Sequence, residues 1–402
     1  MRPTDVRVAD VTVRFRDVPF AAPLVLSSGP IDGLTEATVT VEVDAAGRHA
    51  SGTGSVLLSH PWAYGSTGHD DAGDGSTGGS RGNRDTVMRS AVAALAQAVL
   101  GSAGDPLSIG AALLDALPDL PLPRLAAEVC LGPVDAAVHD AWARAAGRSA
   151  FQLYADPYVP DLSAFLGPDF AGRYPVDYLA PRPPARLPVQ WVVGANDPLD
   201  GLAGARWLKV KLAGADPAHD AARVMAVQAA AGPGCRLALD PNEGYRTVSD
   251  VTALLDALPP GLTVDYVEQP LPRSAAVAPP GNGIPVLLDE GLPDPRRLNE
   301  VTGWDGVVVK TCRGQTAALL TYCWARQRGR YVVQQDLTHV GAALEHAAAF
   351  ATRTVRAVPA FECNSLQYAP AGNDELARRR PELVTVVDGT IDVSGCGREG
   401  IR

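Results

Sequence analysis

Five apolar runs decide the fold: ARWLKVKL (205–212), CRLALDPN (235–242), TVDYVEQP (263–270), IPVLLDE (284–290) and GVVVK (306–310). Each closes on charge. The first carries Lys209 and Lys211, the next three end in Asp240, Glu268 and Asp289, and the last ends in Lys310. Parallel barrels carry their chemistry at the C-terminal ends of their strands. Three carboxylates converging there repel one another unless a cation lies between them.

Outward from these runs the same texture continues. PVQWVVG (188–194) precedes them; YVVQQD (331–336) and AVPAFEC (357–363) follow. Helix-like segments near 217–231, 248–258, 294–301, 314–328 and 341–355 alternate with the strands. Eight strands with parallel-type crossovers predict a (β/α)8 barrel, of the modified TIM type, over 188–365. One crossover, PLPRSAAVAPPGNG (270–283), is too rich in Pro and Gly for an ordinary helix.

Residues 1–150 read as a separate α+β domain. VRVADVTVRF and EATVTVEVDAAGRHASGTGSV alternate at period two, as half-buried strands do. Helices are expected near 85–102 and 124–147. The tract 65–84, GSTGHDDAGDGSTGGSRGNR, cannot bury a core and reads as a mobile loop. Pro-rich residues 151–187 read as a linker with turns, and 366–402 as a tail packing back on the N-terminal domain.

The chain has 402 residues, 46% hydrophobic and 20% charged, with a net charge of -10. This excess of acid argues against nucleic acid or an anionic membrane as a partner. No stretch approaches the length of a transmembrane helix, and the N-terminus alternates like a strand instead of presenting a signal-peptide core. Cys130, Cys235, Cys312, Cys323, Cys363 and Cys396 form no C-x-x-C pair, as expected of reduced thiols filling a core in the cytoplasm.

Lys209 and Lys211 alternate onto one face of their strand, and the same counting puts Asp240 together with Asn242. Strands two and six of an eight-stranded barrel lie across from each other, so Lys211 and Lys310 face one another over the arc of carboxylates. Ligation by carboxylates alone favours a hard cation, Mg2+ first and Mn2+ second, and disfavours zinc. Such an ion acts as a Lewis acid on a substrate oxygen. A lysine base must be neutral, and the neighbouring Lys209 ammonium together with the cation would depress the pKa of Lys211. This set equips removal of a proton next to a carboxylate, with fixed positive charge for the enediolate that results.

Each piece alone has a bland reading: a solvated Lys-x-Lys edge, an Asp-Glu-Gly turn, an Asp-Pro-Asn loop start. Together, LKVKL (208–212), LDPNEGY (239–245), VEQPL (267–271), LLDEGL (287–292) and VVVK (307–310) resemble the enolase superfamily, in its mandelate racemase/muconate lactonizing enzyme branch. Residues 124–153 resemble that family's helix before the barrel, and the N-terminal strands its α+β capping domain. The resemblance implies Mg2+ ligation by Asp240, Glu268 and Asp289. It implies Lys211 as base on one face, Lys310 as base or acid on the other, and Lys209 supporting the substrate carboxylate. Asn242 and Glu290 would stand just behind the ligands. Two capping loops, near 23–31 and 52–64, would set specificity, and a homo-oligomer is implied.

There are departures. TCRGQT (311–316) follows Lys310 and places Arg313 where relatives often have a Gly-Gly pair. The racemase-type His/Asp dyad is not matched, since strand six ends in Lys310. Asp336 is left as a residue that orients Lys310 or binds substrate, His339 as a helix-start residue or acid, and Glu362 as a substrate partner or rim residue. Trp62, Tyr64 and Trp191 are pocket or core aromatics.

Two opposed lysines suit 1,1-proton transfer, so the expected activity is racemisation or epimerisation of a small carboxylate. The same pair also serves β-elimination by an acid-sugar or hydroxy-acid dehydratase, and then cycloisomerisation. The competing class is a barrel that binds a small acid without catalysis. A phosphatase or hydrolase would need a second metal and histidine ligands that the sequence lacks.

Overall fold

The structure, a computed structural model, describes residues 2–27, 29–45, 47–65, 81–275 and 277–402. The expected mobile loop falls mostly at 66–80, outside the described residues.

The N-terminal domain is a meander of β1 (Val6–Leu26), β2 (Gly29–Ala45) and β3 (Arg48–Leu57). The two-residue β4 (Ala103–Gly104) completes the sheet in the order β3-β2-β1-β4. The alternation in the sequence is realised in β2, where Val39, Val41 and Val43 are buried and Thr38, Thr40 and Glu42 are not. Four helices follow: α1 (His60–Tyr64), α2 (Arg81–Val99), α3 (Pro106–Ala116) and α4 (Arg124–Ala145). Two of these correct the sequence reading. Helix α2 starts at Arg81, so the end of the expected loop is helical. Helix α3 was not anticipated, although Asp105 is a legible cap: its carboxylate accepts the Ser108 N–H at 3.0 Å, with Pro106 in the first turn.

Helix α4 is buried on almost every side because it lies between the two domains. Strand β3 meets it through Gly52 and Gly54, where an added Cβ would come within 2.1 Å of Ala141 N and 2.2 Å of Pro133 O. On the opposite side Gly132 sits against the Cys312 carbonyl.

The short helices α5 (Ala150–Leu153) and α6 (Ser163–Leu166) punctuate the segment expected as a linker. The barrel strands are β5 (Arg186–Val193), β6 (Trp207–Lys211), β7 (Arg236–Asp240) and β8 (Val264–Glu268). They continue with β9 (Val286–Leu288), β10 (Gly306–Val309), β11 (Tyr331–Gln334) and β12 (Phe361–Glu362). Between them run α7 (Pro217–Ala231), α8 (Val248–Ala257), α9 (Gln315–Gln327) and α10 (Gly341–Arg353). Only a 3-10 turn, Pro295–Glu300, stands where a short helix was expected, and no helix forms in the thin crossover among the described residues.

The strands run parallel in the order β11-β10-β9-β8-β7-β6-β5-β12. No ladder joins β11 to β12 among the described residues. A single bond, Ala357 N–H to Val332 O at 2.9 Å, spans that seam. The interior is packed by Ala238, Tyr266, Leu287, Val308 and Val333. The tail adds β13 (Thr390–Asp392), antiparallel to β5, and the Ile401 N–H donates to Asp140 in α4 at 3.1 Å. All six cysteines are free and buried. No helix among the described residues is long and apolar enough to cross a membrane.

Candidate active site

The strand ends converge as their alternation requires. Strands β6 to β10 place Lys209, Lys211, Asp240, Glu268, Asp289 and Lys310 at the C-terminal mouth, all six buried. Asn242 is a correction: the strand stops at Asp240, and Asn242 lies in a turn with φ +45. Its N–H donates to Asp240 Oδ1 at 3.0 Å, and its side-chain amide donates to Glu290 Oε1 at 3.1 Å.

The six charges form an alternating chain. Lys211 Nζ donates to Asp240 Oδ2 at 2.5 Å. Lys209 Nζ lies 2.8 Å from the same Asp240 oxygen and 2.9 Å from Glu268 Oε2. Lys310 Nζ donates to Asp289 Oδ2 at 2.5 Å and lies 3.6 Å from Glu268 Oε1. Three buried anions are thus matched by three buried cations, which is what makes their burial tolerable.

Electrostatics follow from that pairing. Burial alone would raise Asp240, but Lys209 and Lys211 outweigh it and hold the carboxyl well below the usual range. Burial raises Glu268, and Asp240 adds to the effect. Asp289 is also raised by burial, with Lys310 pulling the other way. Burial pulls Lys209 down, yet Asp240, Glu268 and Glu362 together hold it well above an ordinary lysine. Lys310 is raised in the same way by Asp289 and Glu268 against its burial.

Among the described residues, no three His, Cys, Asp or Glu side chains are grouped closely enough to hold a metal ion. Ammonium groups stand between the carboxylates instead. The donor chemistry nevertheless fits a hard divalent cation. The oxygens are buried and drawn from carboxylates, and Asp289 Oδ1 has no hydrogen-bond partner; nor do Glu290 Oε2 and Asn242 Oδ1 beside it.

The remaining predicted residues divide. Glu290 is at the mouth, where Trp62 Nε1 donates to its Oε1 at 2.8 Å, and burial raises its carboxyl. Glu362 Oε2 lies 3.2 Å from Lys209 Nζ, outside hydrogen-bond geometry. Asp336 turns back on its own loop, accepting the Thr338 N–H at 2.7 Å, with no ion pair to Lys310. His339 immediately precedes the cap of α10. Burial pushes it down to about 3, and its Nδ1 has no hydrogen-bond partner.

Several site residues escaped the sequence reading. Gln335 accepts from Lys209 Nζ at 2.7 Å and donates to Tyr266 Oη at 2.9 Å and to Glu268. Continuing the alternation inward from Val333 would have found it. Gln269 Oε1 accepts the Asp289 and Gly291 N–H groups, both at 3.0 Å. Trp62, one of the aromatics expected in pocket or core, sits with its ring centroid 4.6 Å from Lys310 Nζ. Ser27 reaches the mouth as well, donating to Asn242 O at 2.7 Å. Both expected capping loops therefore touch the barrel.

Residues 201–398 match the family model described as Enolase C-terminal domain-like. The chain is 26% identical over 175 residues to the L-Ala-D/L-Glu epimerase of Bacillus subtilis, an alignment spanning 42% of each protein. In fold it is similar to a substrate-liganded structure of that epimerase, with TM-score 0.65, 20% identity and 98% of each chain covered. It is equally similar to a mandelate racemase/muconate lactonizing protein from Herpetosiphon aurantiacus, with TM-score 0.66, 20% identity, and 100% and 98% covered. The barrel half thus carries the match to the enolase C-terminal domain-like family, and the two-domain fold as a whole is similar to that of the epimerase and of the mandelate racemase/muconate lactonizing protein.

Proposed function

We propose that the protein removes and returns the α-proton of a small carboxylate substrate, and that it is a racemase or epimerase. One observation carries the reading. Lys211 and Lys310 come from β6 and β10, four strands apart around the sheet, and each is buried against its own carboxylate, Asp240 and Asp289. A substrate α-carbon between them is within reach of one lysine on each face, the requirement for inverting a stereocentre.

In this reading Asp240, Glu268 and Asp289 hold Mg2+, which supplies Lewis-acid polarisation of the substrate carboxylate. Lys209, already held by Asp240, Glu268 and Gln335, keeps a fixed positive charge beside the place where negative charge develops. Lys211 takes the proton from one face and Lys310 delivers one to the other; the roles exchange for the opposite enantiomer. Trp62 and Glu290 wall the Lys310 side and exclude water there. A dehydratase is the second reading, because one lysine poised to donate also suits departure of a β-substituent.

The test is α-proton exchange in D2O with Mg2+. Dipeptides of the Ala-Glu type head the panel, since a relative is named as their epimerase, followed by N-acyl amino acids and hydroxy acids. Lys211→Ala should lose exchange with one enantiomer and Lys310→Ala with the other, each by about a hundredfold to ten-thousandfold. Loss of both enantiomers' exchange in one variant and of neither in the other would replace the two-base reading by a one-base lyase.

A further inference from the structure

The crossover after β8 has no helix among the described residues, but it carries Arg273, a further side chain that joins the two domains at the mouth. Its guanidinium is forked onto Glu243 (Nε to Oε1 at 2.9 Å, Nη2 to Oε2 at 2.6 Å), and its N–H also donates to Glu243 Oε1 at 2.5 Å. The other side of the fork reaches across to the capping domain. Nη1 donates to Ala63 O at 2.9 Å and Nη2 to Trp62 O at 3.3 Å. These are carbonyls at the C-terminal end of α1, where helices run out of N–H partners; Trp62 O also accepts the Gly65 N–H at 3.3 Å. Gly65, with φ +79, leaves the room: an added Cβ would stand 3.0 Å from Arg273 Nη2.

The other half of the clamp is held in an uncommon conformation. Asn242 and Glu243 both have positive φ, +45 and +63. Non-glycine residues adopt this region only when their surroundings over-determine it. Here the Glu243 N–H donates to Gln269 O at 2.8 Å, and Asn242 is tied to Asp240, Glu290 and Ser27. The aim of the clamp is Trp62. Its indole N–H is bonded to Glu290 and its face covers Lys310. Nothing comparable covers Lys211 among the described residues.

We infer that Arg273 is a positioning residue: clamped by Glu243, it fixes α1 so that Trp62 closes one face of the site, the face served by Lys310. This rests on the two-base reading for its kinetic consequence but not for its structural one. Arg273 touches neither the reacting atoms nor any of the six charged groups. Removing it should therefore slow proton transfer on one face and spare the other. A simple staple between domains would lower stability and slow both faces together.

The experiment uses the full chain with Mg2+ and the panel above. The enantiomer belonging to the Lys310 face is identified as the one whose exchange Lys310→Ala abolishes. In Arg273→Gln, exchange of that enantiomer should fall about tenfold to a hundredfold, chiefly in kcat, while the other stays within about threefold. Trp62→Phe should reproduce the asymmetry, and the double variant should be no worse than Trp62→Phe alone. Equal loss on both faces, or additive losses, would overturn the inference. A substrate-free readout separates this from failure of the two-base reading. With 5-fluorotryptophan incorporated, the Trp62 19F resonance, assigned from Trp62→Phe, should shift or broaden in Arg273→Gln and be restored toward wild type in Arg273→Lys. An unmoved resonance overturns the inference whatever the substrate.

Discussion

At the scale of single residues, the site is a problem of buried charge. Asp240, Glu268 and Asp289 have no exposed surface, and three ammonium groups alternate with them. Lys209 is the link whose loss isolates most charge, because it touches Asp240, Glu268 and Glu362. Lys209→Met should lower stability by roughly 3–5 kcal/mol without added metal, the usual cost of stripping one partner from a buried pair. Saturating Mg2+ should recover part of that loss if the cation takes the same oxygens. Urea midpoints with and without Mg2+ measure both; an equal deficit in the two conditions would place the cation elsewhere. Position along each strand made these six side chains legible in the sequence. Their pairing was not legible, since only coordinates give Lys209 three carboxylate neighbours, Lys310 two and Lys211 one.

At the scale of elements, strand ends carry the chemistry and glycines set the packing. Strand β3 can lie on α4 only because Gly52 and Gly54 present no side chain to it. At Gly54 an added methyl would meet the Pro133 carbonyl and Ala136, backbone and side chain that cannot swing aside. Gly54→Ala should therefore destabilise the protein by about 1–3 kcal/mol or more, read from thermal or urea unfolding. A neutral result would mean that the sheet can slide on α4. The hairpin pattern of residues 6–57 was readable at period two, and most helices at period 3.6. Helix α3, absent from the expected elements, carries both local signals, the Asp105–Pro106 cap and the buried Leu107, Leu113 and Leu114 behind it. The start of α2 was hidden by the glycine and serine before it, since composition reports the capacity to bury surface and not the first hydrogen-bonded turn.

At the scale of the whole molecule, α10 ties the barrel to the capping domain through buried polar groups. His346 Nε2 lies 2.7 Å from Gln315 Oε1, Gln315 donates to Tyr154 Oη at 3.1 Å, and Tyr154 Oη lies 2.7 Å from His139 Nδ1 in α4. Burial pushes His346 down to about 3. Unfolded histidine titrates near 6.5, so below that pH the unfolded chain binds a proton that the native site refuses. The stability from neutral His346 is complete above about pH 6.5 and is lost as pH falls toward 3. Asp336, raised by burial and by Glu362, works with the opposite sign, and comparison with a variant cancels it. Between pH 7 and 5, His346→Gln should lose about 2 kcal/mol less stability than wild type. Identical pH slopes for the two proteins would show that native His346 takes up its proton as readily as the unfolded chain does.

The sequence by itself determined the barrel, the separate strand-rich N-terminal domain and the charge at each of five successive strand ends. Periodicity is a local property, and a parallel strand presents its C-terminal residue to the mouth whatever surrounds it. Only the tertiary structure decided what faces those residues. Trp62 meets Glu290 across 228 positions, Arg273 reaches Trp62 and Ala63 across more than two hundred, and Gln335 joins Lys209 to Glu268 from a strand whose motif ended elsewhere. Such contacts depend on how one domain is docked on the other, and that docking is set by shape and burial summed over the whole chain, which no local pattern encodes.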